Sequence, residues 1–214
     1  MTIVIKNLEN GRIVNFGTIG AGTIAQALSR HLLTAGHRVT LSNSRGPSTL
    51  DEVVSGLGPL ATAGTVAQAA QADVVFLAVT WPHIPAALAD LPPWKDRILV
   101  DTTNQFARLD PPEVADLGDQ TGSEWVASLA AGARVIKAFN TLHARYIEPD
   151  PRHPVGRQVL FYAGDDAPAK ATFRDLFDDI GFAPVDVGAL RDGGQLMQVG
   201  GGPLSALHAL RQDS

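Results

Sequence analysis

The sequence predicts a doubly wound α/β domain on a mainly parallel sheet, and three observations predict it. Short apolar runs alternate with stretches of helical period through most of the chain, the pattern of strands joined by crossover helices. A Gly-x-Gly-x-x-Ala segment stands between the first such run and the first helical stretch. In 214 residues, 45% are hydrophobic and only 18% charged, which is material for one sizeable core burying roughly 70% of the unfolded surface. The expected organisation is a single domain over 1–214, with an N-terminal extension at 1–10 and a Gly-rich segment at 189–214 lying over the site.

Seven runs read as strands: Arg12 to Ile19, Arg38 to Ser42, Val74 to Val79, Ile98 to Val100, Arg134 to Ala138, Gln158 to Ala163 and Ala183 to Val187. Helical faces fall between them. Ile24, Ala27, Leu28, Leu32 and Ala35 follow i, i+3, i+4 spacing and stop at Gly36. Leu50, Val53, Val54 and Leu57 open at Pro47-Ser48 and close at Gly58. Ile84, Ala87, Leu88 and Leu91 make a third face; Phe173, Leu176, Phe177 and Ile180, closed by Gly181, make a fourth. A capping box, Thr121-x-x-Glu124, opens a further helix that should stop at Gly132. The segments 91–96, 106–120 and 148–157 are rich in Pro and Asp and read as loops, the first two over the sheet edge. The tail from Asp192, with Gly193-Gly194 and Gly200-Gly201-Gly202, is either a mobile flap or a close-packed turn.

Composition excludes several classes. Seventeen Lys and Arg against 22 Asp and Glu give a net charge of −5, so no broad cationic surface invites nucleic acid or anionic lipid. Without Cys there is no disulfide, thiolate metal site or cysteine nucleophile. Six scattered His show no H-x-x-x-H or H-E-x-x-H spacing, so no metal is expected. No leader pattern or run of 18 apolar residues occurs, and the expected location is the cytoplasm.

Gly20-Ala21-Gly22-Thr23-Ile24-Ala25 follows a strand and opens an amphipathic helix. Glycines at 20 and 22 allow the tight turn and let backbone N–H groups reach a pyrophosphate, while the helix N-terminus adds partial positive charge. Ala25 is small where helix and strand approach. In this context the segment reads as a Rossmann-type dinucleotide site. An NAD-preferring site ends its second strand on a carboxylate roughly 20 residues beyond the glycines. Here the stretch is Ser42-Asn43-Ser44-Arg45, with no carboxylate before Asp51. Hydroxyl donors and an Arg fork suit a 2′-phosphate, so NADP(H) is the expected cofactor.

Ligands in open α/β sheets bind beyond the carboxyl ends of the strands. Three tips there carry polar or aromatic residues: Val79-Thr80-Trp81-Pro82-His83, Asp101-Thr102-Thr103-Asn104 and Ala138-Phe139-Asn140-Thr141. Hydride transfer needs a dry oriented slot rather than an acid–base triad, and no catalytic residue is assigned. His83 and His143 either position an acceptor or serve as cap and surface residues. Trp81 either stacks on an aromatic acceptor or packs internally. Asp101 reads as a turn-capping carboxylate.

The ordered series Gly20-x-Gly22-x-x-Ala25, Ser42-Asn43-Ser44-Arg45, Val79 to His83, Val135 to Thr141, Ala163-Gly164-Asp165-Asp166 and Pro184-x-Asp186-x-Gly188 resembles the F420-dependent NADP oxidoreductases. The cytosolic reductase domain of the transmembrane metalloreductases is similar. The resemblance implies a compact, usually dimeric domain in which NADP(H) exchanges hydride with a deazaflavin (F420) or, in relatives, a flavin. It implies Thr23 and Ile24 at the pyrophosphate and Ser44 and Arg45 at the 2′-phosphate. It also implies Thr80, Trp81 and His83, with Ala138, Phe139 and Asn140, around nicotinamide and acceptor. Two departures stand out: Gly46-Pro47-Ser48-Thr49 replaces a lysine that often follows the Ser-Arg pair, and the tail after Gly188 is Gly-rich where relatives carry an A-R-x-x-E-like helix.

The candidate cofactor residues are thus Gly20, Ala21, Gly22, Thr23, Ile24, Ser42, Asn43, Ser44, Arg45, Val79, Thr80, Asn104, Ala138, Phe139 and Asn140. Trp81, His83, Thr141 and His143 are the candidate substrate pocket. The expected function is hydride transfer between NADPH and a deazaflavin or flavin-like small molecule, in a homodimer without nucleic-acid or membrane partners. Competing readings are an NADPH-dependent imine or carbonyl reductase and a non-catalytic NADP(H)-binding redox sensor. The first of these normally needs a large helical domain after the Rossmann unit, and 26 residues follow Gly188.

Overall fold

The computed structural model describes residues 13–212, so the expected extension at 1–10 and the Arg12 start of the first strand lie outside the described residues. The first apolar run forms β1 (Asn15–Ile19) and leads through the glycine turn into α1 (Thr23–Thr34). β2 (Arg38–Ser42) is followed by a 3-10 turn at Pro47–Leu50, α2 (Asp51–Leu57), β3 (Ala61–Ala63) and α3 (Val66–Ala69). β4 (Val74–Leu77), a 3-10 turn at Trp81–His83, α4 (Ile84–Leu88) and β5 (Ile98–Asp101) come next. A hairpin, β6 (Phe106–Leu109) and β7 (Pro112–Val114), precedes α5 (Gly122–Leu129), β8 (Arg134–Ala138) and α6 (Ala144–Ile147). The chain ends with β9 (Arg152–His153), β10 (Gly156–Gly164), α7 (Ala167–Ile180), β11 (Ala183–Asp186), α8 (Asp192–Met197) and β12 (Leu210–Arg211).

The main sheet has the order β11-β10-β8-β5-β4-β1-β2-β3. β3 through β8 along this path are all parallel. Parallel strands buried on both faces read as continuous apolar runs, which is how β4 (Val-Val-Phe-Leu) appears in the sequence. Alternate residues feed two cores. Phe16, Val39, Leu41, Phe76, Val100 and Ile136 face α1 and α7, while Ile19, Val75, Leu77, Leu99 and Val135 face Ile84, Leu88 and Val126 of α4 and α5.

One departure is directional. β10 is antiparallel to β8, and β11 runs parallel to β10. Parallel return demands a crossover of a dozen or more residues, usually a helix. Between β8 and β10 the only helix is the four-residue α6, so the chain turns back at the same end of the sheet. Tyr162 pairs with Ala138, so the earlier part of β10 runs beyond the tip of β8 and pairs with β9 and β12.

The capping boxes report local sequence directly. Thr121 Oγ1 accepts from Glu124 N at 3.2 Å and Glu124 Oε2 accepts from Thr121 N at 2.7 Å, and Thr65 with Gln68 repeats the device for α3. α5 nevertheless ends at Leu129, ahead of the expected stop at Gly132. The segment expected as a loop over the sheet edge at 106–120 instead holds the β6–β7 hairpin, which leaves the tip of β5 in the middle of the sheet.

His37, at the turn into β2, is buried, and its Nδ1 accepts from Val14 N at 3.5 Å. Burial holds its pKa below the ordinary histidine value, with the Asp179 carboxylate opposing weakly. The folded protein therefore binds this proton less readily than the unfolded chain. That contribution to stability is complete above the unfolded value of 6.5 and declines as pH falls through it toward the lowered folded value. Urea unfolding of wild type should show a midpoint falling from pH 7.5 to pH 5.5. His37→Gln, which keeps a neutral acceptor for Val14, should flatten that fall; an unchanged slope would remove His37 as its source.

Candidate functional site

The parallel strands end in one row across the sheet. Ser42 pairs with Ile19, Ile19 with Leu77, Leu77 with Asp101, and Asp101 with Lys137. The loops that begin at Asn43, Gly20, Ala78, Thr102 and Phe139 therefore rise side by side, which places all three polar tips on the same edge as the glycine turn.

The two glycines of that turn are required for different reasons. Gly20 has φ 106°, and a Cβ there would lie 2.2 Å from the Ala78 carbonyl oxygen. The fold itself excludes a side chain at this position. Gly22 has an ordinary φ of −76° as the N-cap of α1, and a Cβ there would meet no atom within 4 Å. Nothing within the protein demands glycine at 22. The open space lies before a helix N-terminus whose first-turn N–H groups, including those of Thr23 and Ile24, have no intrahelical partner. A pyrophosphate fits that donor set and explains why the backbone is left bare. Ala25 is fully buried against the strand, and Ile24 turns its side chain toward the core, leaving its N–H as the available group.

A groove of about 620 Å³ runs from this turn between α3 and α4. Gly20, Asn43, Ser44, Val79, Thr80 and His83 line it, with Thr65, Val66 and Ala67 of the α3 start and Ala86, Ala87 and the 89–91 segment opposite. The α3 wall went unforeseen, although Thr65-x-x-Gln68 is the capping signal that marks it. Asn43 shapes the turn after β2: its Oδ1 accepts from Arg45 N at 2.9 Å and its Nδ2 donates to Thr49 Oγ1 at 2.9 Å. Ser44 and Arg45 form the exposed tip, and the Arg45 guanidinium makes no ion pair or hydrogen bond with the other described residues. Ser42 differs from expectation. Its hydroxyl is buried and donates to Thr18 O at 2.6 Å, so it ties β2 to β1 rather than facing a phosphate.

Several residues expected around nicotinamide and acceptor prove to be structural. Trp81 is buried and lies 4.5 Å, centroid to centroid, from Trp125, so of its two readings the structure chooses packing. Phe139 and Ala138 are buried in the α1–α7 core, so neither side chain faces outward. Phe139 holds φ 65°, costly for a non-glycine residue. Its ring lies 5.0 Å from Phe177 and 5.9 Å from Phe182, contacts that hold this backbone in place.

Other candidates keep polar side chains at the strand tips, some of them exposed and others buried. His83 is exposed, with Nδ1 2.6 Å from Thr80 Oγ1. His143 is exposed at the start of α6. Asn104 Nδ2 donates to Asn140 O at 2.9 Å, and Asn140 Nδ2 donates to Asn104 Oδ1 at 3.1 Å and to Met197 O at 2.8 Å. Asn140 Oδ1 and Thr141 Oγ1 are buried with no hydrogen-bond partner among the described residues. Thr18 Oγ1, Gln158 Oε1 and Gln198 Oε1 are in the same condition elsewhere in the fold.

Asp101 caps its turn as expected, with Oδ1 accepting from Thr103 N at 2.9 Å and from Thr103 Oγ1 at 2.6 Å. Its partner Lys137 was not singled out in the sequence. Lys137 Nζ lies 3.0 Å from Asp101 Oδ2, and both side chains are buried. The signal was a single Lys inside an apolar strand. Among the described residues no group of three or more His, Asp or Glu could hold a metal, and no helix is long and apolar enough to cross a membrane.

Fold and site together define a Rossmann-type dinucleotide-binding domain whose second strand ends without a carboxylate. The profile of the family described as "NADP oxidoreductase coenzyme F420-dependent" matches residues 15–105. A solved structure of a hypothetical protein from Sinorhizobium meliloti is 36% identical with a TM-score of 0.87, covering 97% of this chain and all of that one. A putative F420-dependent NADP reductase from Arthrobacter sp. FB24 is 25% identical with a TM-score of 0.71, covering 83% of this chain and 86% of that one. Metalloreductase STEAP3 of Rattus norvegicus is 32% identical over 177 residues, which is 81% of this chain and 34% of that protein. This chain thus resembles the F420-dependent NADP oxidoreductase family over residues 15–105. It spans about a third of the length of the curated metalloreductases it matches.

Proposed function

We propose that this protein transfers hydride between NADPH and a deazaflavin (F420) or flavin-like acceptor. The observation that carries the reading is the groove lined by Gly20, Asn43 and Ser44, with the bare backbone of Gly22 and the exposed Arg45 next to it in the chain. Together these offer helix N–H groups for a pyrophosphate and a guanidinium for a 2′-phosphate. When bound, the nicotinamide supplies the hydride, and the protein supplies orientation and exclusion of water. Asn104, Asn140 and Thr141 present polar atoms on the neighbouring tips, where the nicotinamide and its acceptor would meet.

Calorimetric titration with NADPH and NADH tests the nucleotide, and mixing the NADPH complex with F420, FMN and FAD tests the acceptor. Rapid loss of reduced-nicotinamide absorbance with one of these names the acceptor class; binding without oxidation by any removes the deazaflavin and flavin assignment. Arg45→Ala should weaken NADPH by about 1.5–3 kcal/mol, the range of one charge-assisted contact, and leave NADH nearly unchanged. Equal losses for both nucleotides would remove the 2′-phosphate role. A cytoplasmic location and a homodimer belong to the same reading; exposed Leu109, Leu196 and Leu207 support the dimer, which sedimentation velocity tests.

A further inference from the structure

The buried Lys137–Asp101 pair has no part in the hydride path and no obvious reason in the sheet. β5 and β8 are already joined in parallel register at Asp101 and Lys137. Replacing a buried ion pair by apolar groups of similar volume is often neutral for stability, so the pair is a poor device for stability alone. Its remaining bonds run elsewhere. Lys137 Nζ donates to the carbonyl oxygen of Thr103, and Asp101 Oδ1 accepts from both the N–H and the hydroxyl of Thr103. Ser123 Oγ, from the first turn of α5, donates to Asp101 Oδ2 at 3.2 Å.

Three of these bonds end on one loop residue beyond the strand, so what the pair holds is the loop. The next residue, Asn104, exchanges hydrogen bonds with Asn140 on the following tip. Asn140 in turn reaches Met197 O on α8 and keeps its own Oδ1 buried and unpartnered. Two charges anchored in the sheet thus set, through Thr103 and Asn104, the spacing of two loops.

We propose that Lys137 and Asp101 are positioning residues for the nicotinamide half of the cofactor, holding the 102–104 and 139–141 loops at the separation that half requires. The proposal rests on the NADP(H) reading above. On that reading the adenosine half would lie in the groove at Gly20, Asn43 and Ser44, whose lining includes none of these residues.

The test compares NADPH with 2′-phospho-ADP-ribose, which lacks the nicotinamide, by calorimetric titration of wild type, Lys137→Met and the double variant Lys137→Met/Asp101→Asn. The double variant leaves no lone buried carboxylate, and circular dichroism with thermal melting confirms folding of each. Wild type should bind both ligands, NADPH more tightly. The folded variants should keep the affinity for 2′-phospho-ADP-ribose within about twofold and lose at least about tenfold for NADPH, the order expected from a displaced contact loop. Parallel loss for both ligands, or no loss for either, in a folded variant overturns the positioning role. Failure of wild type to bind 2′-phospho-ADP-ribose overturns the NADP(H) reading, and this proposal with it.

Discussion

Gly22→Val is expected to abolish binding of both NADPH and NADH while leaving the melting temperature nearly unchanged. A Cβ at 22 meets no atom within 4 Å and φ is −76°, so the fold has room for the side chain. A pyrophosphate does not, because the isopropyl group would occupy the space directly before the α1 N-terminus. Losing two charge-assisted N–H contacts, at about 1.5–3 kcal/mol each, removes more than about 3 kcal/mol, which exceeds a hundredfold in affinity. Gly20→Ala provides the contrast. Its Cβ would sit 2.2 Å from the Ala78 carbonyl oxygen at φ 106°, so that variant should lose stability first and binding as a consequence. Calorimetry for binding and scanning calorimetry for melting separate the two. Retained nucleotide affinity in folded Gly22→Val would mean that the glycine turn does not hold a pyrophosphate.

Phe139→Ala should cost about 3–5 kcal/mol of folding stability, the range for truncating a buried phenylalanine. For a domain of 150–250 residues this lowers the melting temperature by roughly 6–20 °C. The ring is 1% exposed and lies among Phe76, Phe173, Phe177 and Phe182. The same side chain holds its own backbone at φ 65°, so its loss also frees the 139–141 loop that carries Asn140 and Thr141. Urea titration checks the stability. A loss below about 1 kcal/mol would show that the aromatic cluster collapses around the vacancy and that other contacts keep the loop in place.

Much of the architecture was legible because it is encoded over short spans. β2 and β8 form over the residues expected of them, and the Thr121–Glu124 box caps α5. The helix faces at Ile24 and Phe173 lie inward, with Gly36 and Gly181 just beyond their helices. The three-residue β3 and the four-residue α3 and α6 escaped because so short a segment shows hardly more than one period, too little for a pattern to repeat, and each is stabilised by the elements that cover it. The Gly-rich tail, left open between a flap and a packed turn, carries α8, with Gly193, Gly194 and Met197 buried. Gly193 fits because a Cβ there would lie 2.6 Å from the Ala163 side chain, a distant contact that a run of glycines does not announce.

At the candidate site the same division holds. By itself the sequence determined the fold class, the strand-turn-helix with its two glycines, the missing carboxylate after β2 and the polar character of three strand tips, all consequences of residue type and spacing along a few neighbouring positions. Only the tertiary structure decided which of those side chains turn outward. It put Ser42 on Thr18, Trp81 on Trp125 and Phe139 into the core, it reversed β10, and it brought Lys137 to Asp101 across 36 positions. The physical reason is that burial and charge pairing are settled by what packs against a residue from distant parts of the chain, whereas turns, caps and periodicity are settled by its neighbours in sequence.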